Sequence, residues 1–334
     1  MKSGLPRAAR ETLLKRTAPS AKLIFNPASG RPDQSPAQLV EILTHLQAWR
    51  YRTEVTVVRP GLDLDQVARD AIRRGFRLIV VAGGDGTVDS VAGALVGTQA
   101  ILGIIPTGTR NNIAISLGIP LNHIGRAVAV LCRGRRTHLD VGCARSGHTQ
   151  RYFVEASTVG LISALYPAAD EIQHGNLTHI GDLFATWVSM PAGEIRLNLD
   201  DGREKLVTQG HIVLAANMPY FGANFHLAPD IAFDDGLLDI FVYSNLNKLD
   251  LIGYAVQMAG GIPEDDRVLH FRVRSMVVHT EPHMPVMADG HMLGDTPLKV
   301  SILRHGLAVM AGPSERPRSS LRIPTSPESN PDGS

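Results

Sequence analysis

Cysteine, aromatic residues and net charge are all scarce in this chain. Its 334 residues include only two cysteines, Cys132 and Cys143. That excludes a disulfide framework and a cysteine-built zinc site, and it fits a reduced, cytosolic setting. Formal charge is +1, from 33 basic and 32 acidic residues, so no global field exists to recruit nucleic acid or an acidic membrane. No apolar run reaches the roughly 18 residues of a spanning helix, and the N-terminus lacks the apolar segment of a secretory signal. A cytoplasmic protein is expected, with any membrane contact local and peripheral. Familiar catalytic signatures are missing too. There is no nucleotide P-loop, no protein-kinase Asp-Phe-Gly or His-Arg-Asp and no Gly-x-Ser-x-Gly elbow, and a dinucleotide fingerprint begun at Gly84 meets Asp89 where its third glycine belongs. His279 and His283 are four apart, but Pro282 and Pro285 keep them off one helix face as a metal pair.

What the chain does contain is a globular composition, 44% hydrophobic with 32 glycines, long enough for two domains. Residues 20–136 alternate apolar strands with amphipathic helices. Lys22 to Phe25, Glu54 to Val58, Leu78 to Ala82 and Ile101 to Ile105 read as strands. The helices expected between them include one opening at Ser35-Pro36, one over Asp65 to Arg74 closed by Gly75, and one beginning near Val88. Such alternation predicts an α/β domain with a parallel sheet. Residues 137–311 change rhythm to strands in succession, which predicts a second, mainly antiparallel domain, with helices expected over Gly175 to Met190 and Lys248 to Met258. Residues 1–19 read as a flexible basic leader, and 312–334, dense in Pro, Ser and charge, as a disordered tail. Tyr166 to Leu183 mixes Pro167, Gly175 and Gly181 with apolar residues and is a candidate lid.

Three short segments, each after an apolar strand, carry the chemistry: Asn26 to Gly30, Gly83 to Thr87, and Pro106 to Asn112. Gly83, Gly84 and Gly86 let backbone N–H groups converge without Cβ obstruction, Thr87 adds a hydroxyl, and the following helix directs its positive end to the same place. Ligands of parallel sheets bind at the carboxyl ends of strands, where all three segments fall. A carboxylate among phosphates, Asp85, would repel them unless it binds Mg²⁺, organises water around a metal or takes a proton, so it points to chemistry rather than storage.

The ordered set Asn26-Pro27-x-Ser29-Gly30, Gly83 to Thr87, Pro106-x-Gly108-Thr109-x-Asn111, Ala215 to Asn217 with Pro219 and Gly222, Ala228-Pro229 to Asp239, and Ala288-Asp289-Gly290 resembles the diacylglycerol kinase catalytic family. The likeness is to its bacterial lipid-kinase branch, which is also similar to sphingosine kinases and, more remotely, to NAD kinases. The resemblance implies a three-layer α/β first domain and a β-sandwich second domain, the last strands returning to the first. It implies ATP between the domains, with Asn26, Gly83, Gly84, Asp85, Gly86, Thr87, Thr109 and Asn111 near the nucleotide. It further implies a lipid hydroxyl as acceptor at the membrane surface, a structural Mg²⁺ on Asp235 with the backbone carbonyls of Ala232 and Leu237, and Asp289 as the base that takes the hydroxyl proton. As bare sequence, Asp234-Asp235-Gly236 reads equally as a hairpin turn. A homodimer is compatible with the chain.

Two positions depart from the family pattern. Asn112 stands where an acidic residue is usual, and His291 replaces the glutamate that usually follows Asp289-Gly290. Asn112 can hydrogen-bond water but brings no charge to a cation, whereas His291 can accept a proton near neutral pH. Either His291 acts as base, or it is a bystander beside a working Asp289. Besides lipid phosphorylation, the chain is therefore compatible with a catalytically silent nucleotide- or lipid-binding relative and with a kinase of a soluble metabolite.

Overall fold

The computed structural model describes residues 19–313 apart from 174–175, 223–224, 229, 259–260, 262 and 264. The leader up to residue 18, the tail from 314, Gly175 of the candidate lid and Pro229 of the motif set lie outside the described residues.

The first domain alternates as its apolar pattern requires: β1 (Ser20–Phe25), α1 (Ser35–Ala48), β2 (Arg52–Val57), α2 (Leu64–Arg73), β3 (Leu78–Gly83), α3 (Asp85–Leu95), β4 (Ile101–Pro106), α4 (Asn112–Ser116) and α5 (Ile124–Arg133). The strands are parallel in the order β4-β3-β1-β2. β3 is central and buries all six of its residues, as its unbroken apolar run demands. Helix starts differ from expectation for local reasons. Asp63 accepts the N–H of Gln66 (3.0 Å), so α2 is capped and begins at Leu64. Gly84 is extended (φ −92°, ψ −176°), and α3 opens at Asp85, three residues before Val88. Ser35 is the first residue of α1 rather than its cap; Gln34 precedes it without a side-chain cap.

The second domain follows as β5 (Arg135–Ser146), β6 (Thr149–Phe153), β7 (Ala156–Gly160), α6 (Leu161–Gln173), α7 (Ile180–Ser189), β8 (Gly193–Leu199), β9 (Glu204–Ala216), β10 (Tyr220–Phe221), β11 (Phe225–His226), β12 (Leu238–Ser244), α8 (Lys248–Met258), β13 (Val268–Val273), β14 (Ser275–Glu281), β15 (Pro285–Ala288), β16 (His291–Asp295) and β17 (Leu298–Ala311). The helix expected over 175–190 is shortened at its start, where Leu177–His179 forms a 3-10 turn. Pairing is antiparallel throughout this half, and the β15–β16 hairpin adds to β7 with Ala288 opposite Ser157. β17 belongs to both halves: it runs antiparallel to β5, and its end is parallel to β4, Ala308 opposite Ile101. The two domains therefore share one continuous sheet.

Three apolar cores result. One fills the first domain around Leu23, Val80 and Leu102. A second lies between the sandwich faces around Leu197, Val213, Ile240 and Val300. A third lies under α6 and α8 around Leu214, Phe241 and Leu251. At the junction, fully buried Asp140 accepts the N–H of Gly236 (2.5 Å) and of His305 (2.6 Å), the latter in the irregular stretch of β17. Asp140→Ala leaves these donors without a partner and is expected to lower stability by about 1–3 kcal/mol in urea denaturation, with Asp140→Asn intermediate.

Candidate active site

The parallel register sets the three glycine-bearing loops side by side. Phe25 lies opposite Ala82 and Gly83 opposite Pro106, so β1, β3 and β4 end at one level. Two backbone bonds extend the pairing past the strand ends, from the N–H of Asn26 to the carbonyl of Ala82 (2.8 Å) and from the N–H of Thr107 to the carbonyl of Gly83 (3.1 Å). Only glycine permits the approach that follows: a Cβ on Gly108 would lie 2.5 Å from the Cα of Gly84, and one on Gly30 2.0 Å from the oxygen of Thr107.

All of the nucleotide residues expected from sequence gather at this edge. Asn26 donates through Nδ2 to Thr87 Oγ1 (2.8 Å) and receives the N–H of Ala28 (3.0 Å). Gly83, Gly84, Asp85, Gly86 and Thr87 form the end of β3 and the first turn of α3, where the N–H of Thr87 donates to the carbonyl of Gly84 (3.0 Å). Thr109 is exposed on the third loop. Asn111 has a left-handed backbone (φ 57°) and turns its side chain onto Gly108, accepting that residue's N–H (3.0 Å) and donating to its carbonyl (2.6 Å). Its side chain shapes the loop.

Carboxylates from both domains meet beneath. Asp85 crosses to α4 and accepts the N–H groups of Asn112 (3.0 Å) and Ile113 (3.1 Å); burial pushes its pKa up, and those amides pull it back. Asn112, 2% exposed, donates to Glu155 Oε1 (2.8 Å) and to the carbonyl of Gly222 (3.1 Å). Glu155 lies between β6 and β7, and its pKa is raised well above the usual value by burial and then by Asp85 and Asp289. Asp89, one turn beyond Asp85 on α3, pairs with Arg151 (3.0 Å) and lies 3.4 Å from Nε2 of His291. Burial raises its pKa also.

Asp289 is placed otherwise than a free base. Its carboxylate accepts the backbone N–H of Val154 (2.6 Å), Glu155 (3.1 Å) and Ala156 (2.8 Å). Burial and the adjoining Asp89 carboxyl raise its pKa strongly. His291 is the more accessible group, its side chain 44% exposed; burial, then Arg151, lower its pKa from 6.5. The hydroxyl of Tyr166 closes over Gly290, where a Cβ would stand 2.4 Å from it.

Asp235 lies apart from this cluster. One carboxylate oxygen accepts the N–H of Leu237 (3.0 Å), and the other pairs with Arg272. Arg272 is thus the cation paired with the carboxylate at the position where the resemblance expects Mg²⁺ together with the carbonyls of Ala232 and Leu237. Among the described residues, no group of three or more His, Cys, Asp or Glu side chains is arranged as a metal cage.

Sequence reasoning missed Glu155, Asp89, Arg151 and Tyr166 as members of the site. Asp89 was visible, four residues after Asp85 and therefore on the same helix face. Glu155 had a weaker signal, a lone acid in the otherwise apolar run Phe153 to Ala156.

A parallel sheet whose glycine-bearing loops and acids meet at a boundary with a β-sandwich defines a two-domain α/β protein with a cleft at the strand ends. Two family models match: the diacylglycerol kinase catalytic domain over residues 20–144, and the YegS C-terminal NAD kinase beta sandwich-like domain over 171–311. The chain belongs to the diacylglycerol kinase catalytic domain family. Diacylglycerol kinase of Bacillus subtilis (strain 168) is 28% identical over 299 residues, 87% of this chain and 96% of the relative. Diacylglycerol kinase of Mycobacterium tuberculosis (strain CDC 1551 / Oshkosh) is 28% identical over 245 residues, 72% and 78% respectively. A crystal structure of a diacylglycerol kinase from Bacillus anthracis str. Sterne matches with a TM-score of 0.69 at 23% identity, covering 88% of this chain and 97% of that one, which speaks for the fold.

The loop packing makes a direct test. Gly108→Ala forces backbone against backbone and is expected to cost about 1–3 kcal/mol by thermal or chemical denaturation. Gly86→Ala, with nothing within 4 Å of the added carbon, is expected to leave stability unchanged or slightly higher.

Proposed function

We propose that the protein transfers the γ-phosphate of ATP to the hydroxyl of a membrane lipid, diacylglycerol-like or sphingoid-like, with Mg²⁺. The observation that carries this reading is the meeting of three amide-lined loops with a cluster of acids from both domains. Phosphoryl transfer demands positioning and charge neutralisation more than covalent chemistry. The first turn of α3, with Asn26 and Thr87 locked together, grips phosphate oxygens, and Thr109 meets them from the exposed third loop. Mg²⁺ is ordinarily held by one or two carboxylates together with nucleotide phosphates; Asp85, a hard oxygen donor beside the phosphate loops, fits that role. When bound, the ion neutralises phosphate charge.

His291 takes the proton of the lipid hydroxyl. It is half exposed, and its lowered pKa keeps it neutral, hence able to accept, at pH 7. Asp89 lies behind it, while Asp289 holds the 154–156 backbone in place. The lipid is met at a membrane surface. Leu177, Ile180, Phe184 and Val188 recur at three- and four-residue steps and are all exposed, as are Leu249, Ile252 and Val256 on α8. Lys248 Nζ bonds the carbonyl of Val188 (2.7 Å) and ties α8 to α7.

Purified protein given ATP, Mg²⁺ and a panel of diacylglycerols and sphingoid bases is expected to yield a lipid heavier by one phosphate, read by mass spectrometry. Nucleotide binding without any such product would favour the silent relative suggested by Asn112. The proton-acceptor assignment has its own signature. Protonating His291 disables it, so kcat is expected to hold at neutral pH and fall only in acid, below the ordinary imidazole value of 6.5. His291→Asn is expected to lower kcat about 10²- to 10⁴-fold and abolish that limb. An unchanged profile would return the proton to Asp289.

A further inference from the structure

Position 112 is where the family pattern has an acid, and this chain has an amide. The structure shows what faces that amide. Its main-chain N–H is held by Asp85, so the residue cannot drift, and its side chain meets the carboxylate of Glu155 at 2.8 Å. Glu155 is equally constrained, because Asp289 clamps the N–H groups of 154, 155 and 156.

The amide orientation follows from its neighbours. With Nδ2 toward Glu155 and the Gly222 carbonyl, both acceptors receive a donor; reversed, an oxygen would confront two oxygens. The other end of this 2% exposed side chain, Oδ1, is buried without a hydrogen-bond partner. Such an orphan is costly unless water or a ligand meets it. An aspartate at 112 would instead set two carboxylates against each other at hydrogen-bond distance, and one of them would have to stay protonated.

We propose that Glu155 supplies the cation- and water-orienting carboxylate that residue 112 lacks, the acid having moved across the Asn112–Glu155 hydrogen bond from the first domain to the second. This deepens the kinase reading and rests on it. The exchange explains two facts at once. A buried glutamate stands beside Asp85 and Asp289, where a glutamine would serve packing at less electrostatic cost; and the departure at 112 does not remove negative charge from the site. Glu155 is thus a positioning residue that complements Asp85, and Asn112 is its donor rather than a defect.

The reciprocal exchange tests this. Glu155→Gln, Asn112→Asp and the double variant Asn112→Asp/Glu155→Gln are compared with the unaltered chain for Tm, for Mg²⁺-dependent binding of a fluorescent ADP analogue, and for kcat with diacylglycerol. Glu155→Gln is expected to lose about 10- to 100-fold in Mg²⁺ activation and in kcat. Asn112→Asp alone is expected to lower Tm, because it opposes two acids. The double variant re-forms the 112–155 bond with donor and acceptor exchanged but leaves the Gly222 carbonyl without its donor, so it is expected to recover part of the lost Tm and at least about tenfold of what Glu155→Gln lost. Full Mg²⁺ activation in Glu155→Gln overturns the proposal. So does a double variant that recovers Tm but neither nucleotide binding nor kcat. If the unaltered chain phosphorylates no lipid, the functional reading fails separately, and the Mg²⁺-dependent ADP signal alone decides: it must vanish in Glu155→Gln and return in the double variant. Absence of that signal in the unaltered chain overturns both.

Discussion

The carboxylate of Asp289 bound to three consecutive backbone amides, of Val154, Glu155 and Ala156, is the contact on which the rest of the site depends. It fastens the end of the β15–β16 hairpin to the turn between β6 and β7 and thereby fixes where Glu155 points. Through its carboxyl contact with Asp89 it also reaches α3 of the first domain. An acid buried among apolar strands is tolerable only when such donors surround it. Asp289 is therefore anchored by the very groups it organises, and His291, two residues on, inherits its position.

The electrostatics of the cleft follow from this arrangement. Asp85, Asp89, Glu155 and Asp289 converge beside the glycine-bearing loops, an assembly that is self-repelling in isolation. Two features offset it. Arg151 neutralises Asp89, and the first turn of α3 presents its positive end.

Much of the fold was legible in local pattern. The run Leu78 to Ala82 is wholly apolar and became the buried centre of a parallel sheet; of the glycines after it, Gly84 shows the expected close approach, to Gly108, while Gly86 has open space around it. Helix starts were less legible, since Gly84 and Asp63 cap through backbone geometry and a side-chain bond that periodicity does not register. Glu155 was illegible as a partner of Asn112 because 43 residues separate them and nothing in either segment names the other. The pairing of Asp235 with Arg272 was illegible for the same reason: 37 residues separate them.

Sequence alone determined that the chain is a two-part α/β and β protein with amide-lined loops at strand ends, because strand period, helix period and glycine placement are short-range properties. The tertiary structure decided which acids share a site, which of them is reachable, and which is already satisfied. Those outcomes depend on desolvation and on contacts between segments far apart in the chain, and no window of residues contains them.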